Sequence, residues 1–207
     1  GDIAPGRKGG GVIRLTVEGI ASHCGTAPEK GASAVREAAR KVVAIEDLTD
    51  FSRVTFNCGL IRGGSSVNTI PAHCEVDICI RFHSNQERDE ALSKARAICE
   101  RVETPNTHCT LGPLMGFPAM EKTPKTDALV ALYQDASEAL GMGRPGTAST
   151  AGCSDSAFTT SMGIPTLCAV GVLGEGQHSP HEHALEGSLL TQAKRLTAAI
   201  LSMPDDF

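Results

Sequence analysis

The chain of 207 residues predicts a mixed α/β and α+β fold. A ferredoxin-like β-α-β-β-α-β sandwich is expected over residues 11–118, followed by part of an α/β domain over residues 119–207. Three observations lead there. Short segments of apolar alternation take turns with segments of helical spacing through the first half. Their order is the split β-α-β pattern, in which one sheet buries a face against two helices. The composition then shifts at "GFPAMEKTPKT", a stretch with two prolines that reads as a domain linker.

Taken in order, residues 1–10 read as a linker. "GVIRLTVEGI" alternates Ile13, Leu15 and Val17 with Val12, Arg14, Thr16 and Glu18, a strand. "ASHCGTAPEKG" is a loop punctuated by Gly25, Pro28 and Gly31. Between Ala32 and Leu48, Val35, Ala38, Ala39, Val42, Val43 and Ile45 fall at helical spacing, with Ser33 and Glu37 early, where such groups suit a helix start. "RVTFNCGLIRGG" and "HCEVDICIRFH" alternate as strands on either side of the loop "SSVNTIPA". A charged, alanine-rich helix spans Asn85 to Val102, and "THCTLGPLM" is a fourth strand. Beyond the linker, "DALVALYQDASEAL" reads as an amphipathic helix that "GMGRPG" ends. A small-residue loop leads to a short helix with Ser154 or Asp155 as N-cap. "IPTLCAVGVL" reads as a buried strand and "EGSLLTQAKRLTAAILSM" as a closing helix. One strand is not a sheet, because buried strand backbone needs partners. Residues from about 123 onward therefore read as part of a domain.

Composition narrows the function. Hydrophobic residues at 41% and charged residues at 21% fit a soluble globular protein. A net charge of −5 without a basic run argues against nucleic acid. Aromatics at 3%, with no Trp, argue against stacking platforms. No apolar run approaches a membrane span, and "GDIAPGRKGGG" lacks the apolar core of a signal peptide. Eight cysteines without a C-x-x-C pair fit a reducing compartment, so a cytoplasmic location is expected.

Four motifs carry chemistry. "GEGQHSPHEHA" holds His178, His181 and His183 near Glu182. Imidazole suits zinc, but Pro180 and the loop form prevent a helical face of ligands. It reads either as a polar surface loop or as one ligand, His178, at the end of the preceding strand. "GCSDSAF" is a helix N-cap, or a loop in which Gly152 helps to hold an anionic group. His23 in "ASHCG" is, taken alone, an ordinary loop histidine. Asn68 and Arg81 pair an amide donor with a guanidinium fork, a combination that binds carboxylates, although each alone is more often structural.

The order of these motifs adds a resemblance. "VEGIASHCGTAPEKGASAV", then "NCGLIRGGSSVNTIPAHCEVDICIRF", then "GCSDSAFTTSMGIPTLCAVGVLGEGQHSPHEHA" resemble the dinuclear-zinc amidohydrolase and peptidase family. That family includes glutamate carboxypeptidase, acetylornithine deacetylase, succinyl-diaminopimelate desuccinylase and the aminoacylases. The resemblance spans essentially the whole chain, and the glutamate carboxypeptidase branch looks nearest. It implies a lid and dimerisation domain over residues 11–118 and the C-terminal portion of a catalytic domain over 119–207. It implies His178 as a zinc ligand and His23 as the lid histidine that stabilises the oxyanion across a dimer. Asn68, Arg81 and Gly152 become substrate-binding residues. The implied partners are a second copy of the chain, through the lid, and a small N-acyl amino acid or peptide. The family's remaining metal ligands and its Glu base have no match here. Two zinc ions are therefore expected in an intact enzyme but not fully in these residues, which are expected to be inactive alone. The alternative is a dimerisation or binding module without catalysis.

Overall fold

The computed structural model of the chain describes residues 1–205. It divides into two compact units, Gly9–Pro118 and a second made of Gly1–Lys8 with the residues from Ala119 onward.

The first unit opens with β1 (Gly9–Glu18). Ile13, Leu15 and Val17 are buried while Val12, Arg14 and Glu18 are exposed, as the alternation requires. The strand begins two residues earlier than expected because Gly9 and Gly10 pair with Phe82 and Arg81. A two-residue strand, β2 (Ser22–His23), follows. Helix α1 (Ala34–Glu46) starts where the Ser33 side chain accepts from the Arg36 amide. Strand β3 (Val54–Gly63), the short β4 (Thr69–Ile70) and β5 (His73–Phe82) come next. Helix α2 (Asn85–Glu100) begins with a reciprocal capping box between Ser84 and Glu87. The fourth expected strand is split into β6 (His108–Leu111) and β7 (Met115–Phe117), both on the same side of β1.

The sheet order is β3-β5-β1-β6, antiparallel throughout, so β5 separates the two strands that α1 connects. Val76, Ile78, Ile80 and Phe82 on β5 and the buried residues of β1 meet Ala34, Ala38 and Ile45 of α1 and Ala91, Leu92 and Ala95 of α2. Helix α1 departs from expectation in its face. Glu37 and Lys41 are buried, while Val35 and Val43 are 38% and 62% exposed. Lys41 Nζ lies 3.0 Å from Glu37, and Glu37 accepts from the amides of Glu103 and Thr104 at 3.1 and 2.7 Å. These bonds satisfy the buried charges and turn the helix toward the segment after α2.

In the second unit the first residues, read as a linker, are bonded in. Ile3 bridges Thr147, Ala4 bridges Cys168, and Arg7 bridges Met120 and Thr150. Helix α3 (Pro124–Ala139) starts inside the proline stretch, with Thr123 as N-cap and Pro124 in the first turn, where proline costs no hydrogen bond. Helix α4 (Ser156–Ser161) follows. Residues 164–173, expected as a buried strand, form only the isolated bridge from Cys168 to Ala4, because no neighbouring strand among the described residues pairs with them. The chain then makes a small hairpin, β8 (Gly174–Glu175) with β9 (His183–Ala184), and closes with α5 (Glu186–Leu201). Its core is small: Ile3, Val130, Tyr133, Ala136 and Ala199. No helix among the described residues is long and apolar enough to cross a membrane.

Candidate functional site

His23 and Asn68 are brought together. Strands β2 and β4 pair with His23 opposite Thr69, and the Cys24 amide donates to the Asn68 carbonyl at 3.0 Å. The turn after His23 is tight: the Ala27 amide donates to the His23 carbonyl at 3.1 Å, and the Ser22 hydroxyl donates to the Ala27 carbonyl at 2.5 Å. Inside it, His23 Nδ1 accepts from the amides of Gly25 and Thr26, both at 3.1 Å. With its Nδ1 lone pair occupied, the neutral ring carries its proton on Nε2 and presents a donor outward. The Asn68 Oδ1 accepts from the Ser66 hydroxyl at 2.5 Å, so the amide NH2 is the end left to donate outward. A cavity of about 340 Å³ lies along this strap, lined by Ala21, Arg62, Ser65, Thr69, His73 and Glu75 among others.

Arg81 is not part of that cluster within one chain. It sits near the far end of β5, opposite Gly10 and Thr55, and its Nη1 donates to the Ile80 carbonyl at 3.0 Å. Gly10 makes room for it: a Cβ there would stand 2.5 Å from Arg81 Nη1. The strap joins the His73 end of β5, roughly 26 Å away along the strand. Between them the open sheet face carries paired charges. Arg14 and Arg62 reach Asp77 at 2.8 and 2.9 Å, and His73 Nδ1 lies 2.9 Å from Glu18.

In the second unit, the Gly152 carbonyl accepts from Arg7 Nη1 at 3.1 Å. Asp155 holds the N-cap position without a side-chain bond, while the Ser154 hydroxyl accepts from the Ser156 amide at 3.3 Å. Ser154 Oγ also lies 3.3 Å from Cys168 Sγ. Burial pushes the Cys168 thiol up, but hydrogen bonds from Ser154, Ser156 and Arg7 outweigh it and bring the thiol below its usual value. Sequence reasoning missed this group, since Arg7 and Cys168 stand in segments read as a linker and a strand.

His178 lies in the β8–β9 hairpin loop rather than at the end of a buried strand. Its φ is 65°, and its amide donates to Glu182 Oε2 at 3.3 Å, so Glu182 shapes the loop. His183 Nδ1 lies 3.0 Å from the His181 carbonyl. Gly176, at φ 76°, lets the loop turn: a Cβ there would meet the His181 carbonyl at 2.8 Å. Among the described residues, no three His, Cys, Asp or Glu side chains converge as a metal site.

Comparison with known proteins adds identity to this geometry. Residues 5–107 match the family model described as a peptidase dimerisation domain. Over 204 residues the chain is 25% identical to carboxypeptidase G2 from a Pseudomonas strain, covering 96% of this chain and 48% of that protein. An aminopeptidase PepT structure from Bacillus cereus superposes with a TM-score of 0.77 at 24% identity, covering 98% of this chain and 54% of that one. A Staphylococcus aureus tripeptidase structure gives 0.75 at 20% identity, covering 97% and 54%. At these identities the two structures speak to the fold. The chain spans about half the length of the relatives it matches.

Proposed function

We propose that this chain, whose residues 5–107 match the peptidase dimerisation-domain model and which is 25% identical to carboxypeptidase G2, forms the lid and C-terminal region of a zinc-dependent metallohydrolase that cleaves the amide bond of an N-acyl amino acid or small peptide. The observation that carries this reading is the placement of His23 and Asn68 on one strap, with the His23 ring fixed as an outward donor. A donor held in place before reaction is what a developing oxyanion requires. Asn68 donates beside it, and Arg81 supplies a guanidinium for a substrate carboxylate. One small substrate cannot touch both ends of β5. His23 and Asn68 therefore serve the site of a second copy, and Arg81 serves its own.

The described residues do not by themselves fit a dinuclear zinc centre. His178 is a single exposed imidazole, and a catalytic zinc takes about three protein ligands. Gly152, on the loop before α4, borders the substrate in this reading. Activity belongs to the natural polypeptide that carries these residues. The zinc-loaded natural polypeptide is expected to hydrolyse N-acyl amino acids or dipeptides, and the 207-residue chain alone is not. Turnover by the isolated chain, or none by the loaded polypeptide across that substrate class, would overturn the reading. The second reading, a dimerisation or binding module without catalysis, rests on the match of residues 5–107 to a dimerisation-domain model and gains if the loaded polypeptide is inert.

A further inference from the structure

The strap that carries Asn68 ends in a turn. The Thr69 amide donates to the Ser66 carbonyl at 3.3 Å, so Val67 and Asn68 are its two central residues. Neither has a positive φ. The base of the strap is fixed. Gly64, at φ 78°, follows β3, and its amide donates to the His73 carbonyl at 3.3 Å. Ile70 packs so closely on Gly31 that a Cβ there would stand 2.6 Å from Ile70 Cδ1. The Pro71 carbonyl accepts from the Ala34 amide, at the start of α1, at 2.8 Å. The Ser66 hydroxyl on Asn68 Oδ1 and the Cys24 amide on the Asn68 carbonyl hold the tip.

On this braced tip Val67 is 104% exposed, the highest value of any large apolar side chain among the described residues. Turns favour Gly, Pro, Asn, Asp and Ser, each for its own backbone or side-chain reason, and valine supplies none of these. Nor does Val67 fill the core. It offers an apolar surface on one stiff side-chain torsion, which loses little freedom on contact. Single exposed aliphatic residues are ordinary on a protein surface. Val67 is set apart by its neighbour, since its Cα is about 3.8 Å from that of Asn68. A substrate that the Asn68 amide touches is within reach of Val67.

We propose that Val67 is a specificity-determining residue, which meets the acyl group of the substrate in the second copy's site and favours longer apolar chains there. This rests on the reading above, in which His23 and Asn68 serve a second copy. In an N-acyl amino acid the carboxylate lies on one side of the scissile bond and the acyl chain on the other. Arg81 of the receiving copy takes the carboxylate, and His23 takes the carbonyl oxygen between them. The acyl chain is the apolar part left for the strap. Fully burying one methylene corresponds to about fourfold in affinity.

The test measures kcat and KM of the zinc-loaded natural polypeptide on N-acetyl, N-butyryl and N-hexanoyl alanine and on the same derivatives of glutamate. It compares the natural residue with Val67→Ser, Val67→Asp and Val67→Leu, with circular dichroism and native mass as checks on fold and assembly. The hexanoyl-to-acetyl ratio of kcat/KM is expected to fall about fourfold in Val67→Ser and on the order of tenfold in Val67→Asp. Val67→Leu should keep it. The change should lie in KM and be alike on both amino acids. Turnover with the ratio unaltered in Val67→Ser and Val67→Asp overturns the role of Val67 and leaves the strap's own role standing. A change that follows the amino acid rather than the acyl chain, or an equal loss on every substrate, overturns it as well. A polypeptide that cleaves dipeptides but none of these derivatives overturns this inference alone, whereas one that cleaves neither class overturns the function proposed above together with it.

Discussion

His23 has only one face left for chemistry. Two backbone amides occupy Nδ1, so Nε2–H is the group that can meet a substrate. Replacing His23 by Ala in the zinc-loaded natural polypeptide is expected to lower kcat about 10²–10³-fold with little change in KM, the pattern of a donor used in the transition state. Steady-state kinetics would show it, and an unchanged kcat would remove His23 from the chemistry. Asp77 makes a different prediction. Hydrogen bonds from Arg14 and Arg62 bring its carboxyl down to about 2, from its ordinary 3.8. A carboxyl more acidic in the folded state adds stability above the unfolded value, and that contribution is lost as pH falls through the folded one. Asp77→Asn should therefore narrow the difference in urea midpoint between about pH 6 and about pH 2, and an unaltered difference would count against it. His23 and Asn68 stood out in the sequence only through the resemblance of their motifs, since each taken alone reads as an ordinary loop residue. Glu37 and Lys41 did not, since charges on an amphipathic helix are usually solvated. What buries them, at Arg101–Thr104, is some sixty residues away in sequence.

The elements of Gly9–Pro118 were readable because apolar alternation and helical spacing agreed with capping. Ser84 and Glu87 start α2 where the charged, alanine-rich stretch begins. Ser84→Ala is expected to cost about 1 kcal/mol, visible as a shift in urea midpoint without a change in slope. Helix α1 shows where periodicity stops deciding: the period was right and the face was not, because hydrogen bonds from a distant segment override hydrophobicity. Lys41→Met should cost about 3–5 kcal/mol by leaving Glu37 buried without its cation, whereas Glu37→Leu with Lys41→Met should recover much of it. Equal losses in the single and double variants would show that the pair itself holds the helix. Residues 164–173 were misread for the converse reason. An apolar run has strand character, but a strand also needs a neighbour with free backbone groups.

At the scale of the whole molecule, the two units differ in how they meet solvent. The unit from Ala119 onward has a small core, and α5 exposes Leu189, Leu190, Ile200 and Leu201. The Gly9–Pro118 unit buries its helices but leaves β3 at an open sheet edge. The opposite edge is protected, because it is broken between the short β6 and β7. Strand β3 is ten residues long and carries Leu60 and Ile61 at 53% and 55% exposure. Val35 of α1 lies beside it, 3.0 Å from where a Gly63 Cβ would stand. A long edge with exposed aliphatic side chains is a template for pairing, and residues 5–107 match the model described as a peptidase dimerisation domain, so both point to self-association. The prediction locates it at this edge. Leu60→Lys with Ile61→Lys should turn a dimer into a monomer by native mass spectrometry at micromolar concentration, while circular dichroism stays that of the folded chain. The same variant in the zinc-loaded natural polypeptide should lose turnover, because His23 and Asn68 would no longer reach the second copy's site. A monomer that keeps full activity would separate dimerisation from catalysis and return His23 and Asn68 to the site of their own chain.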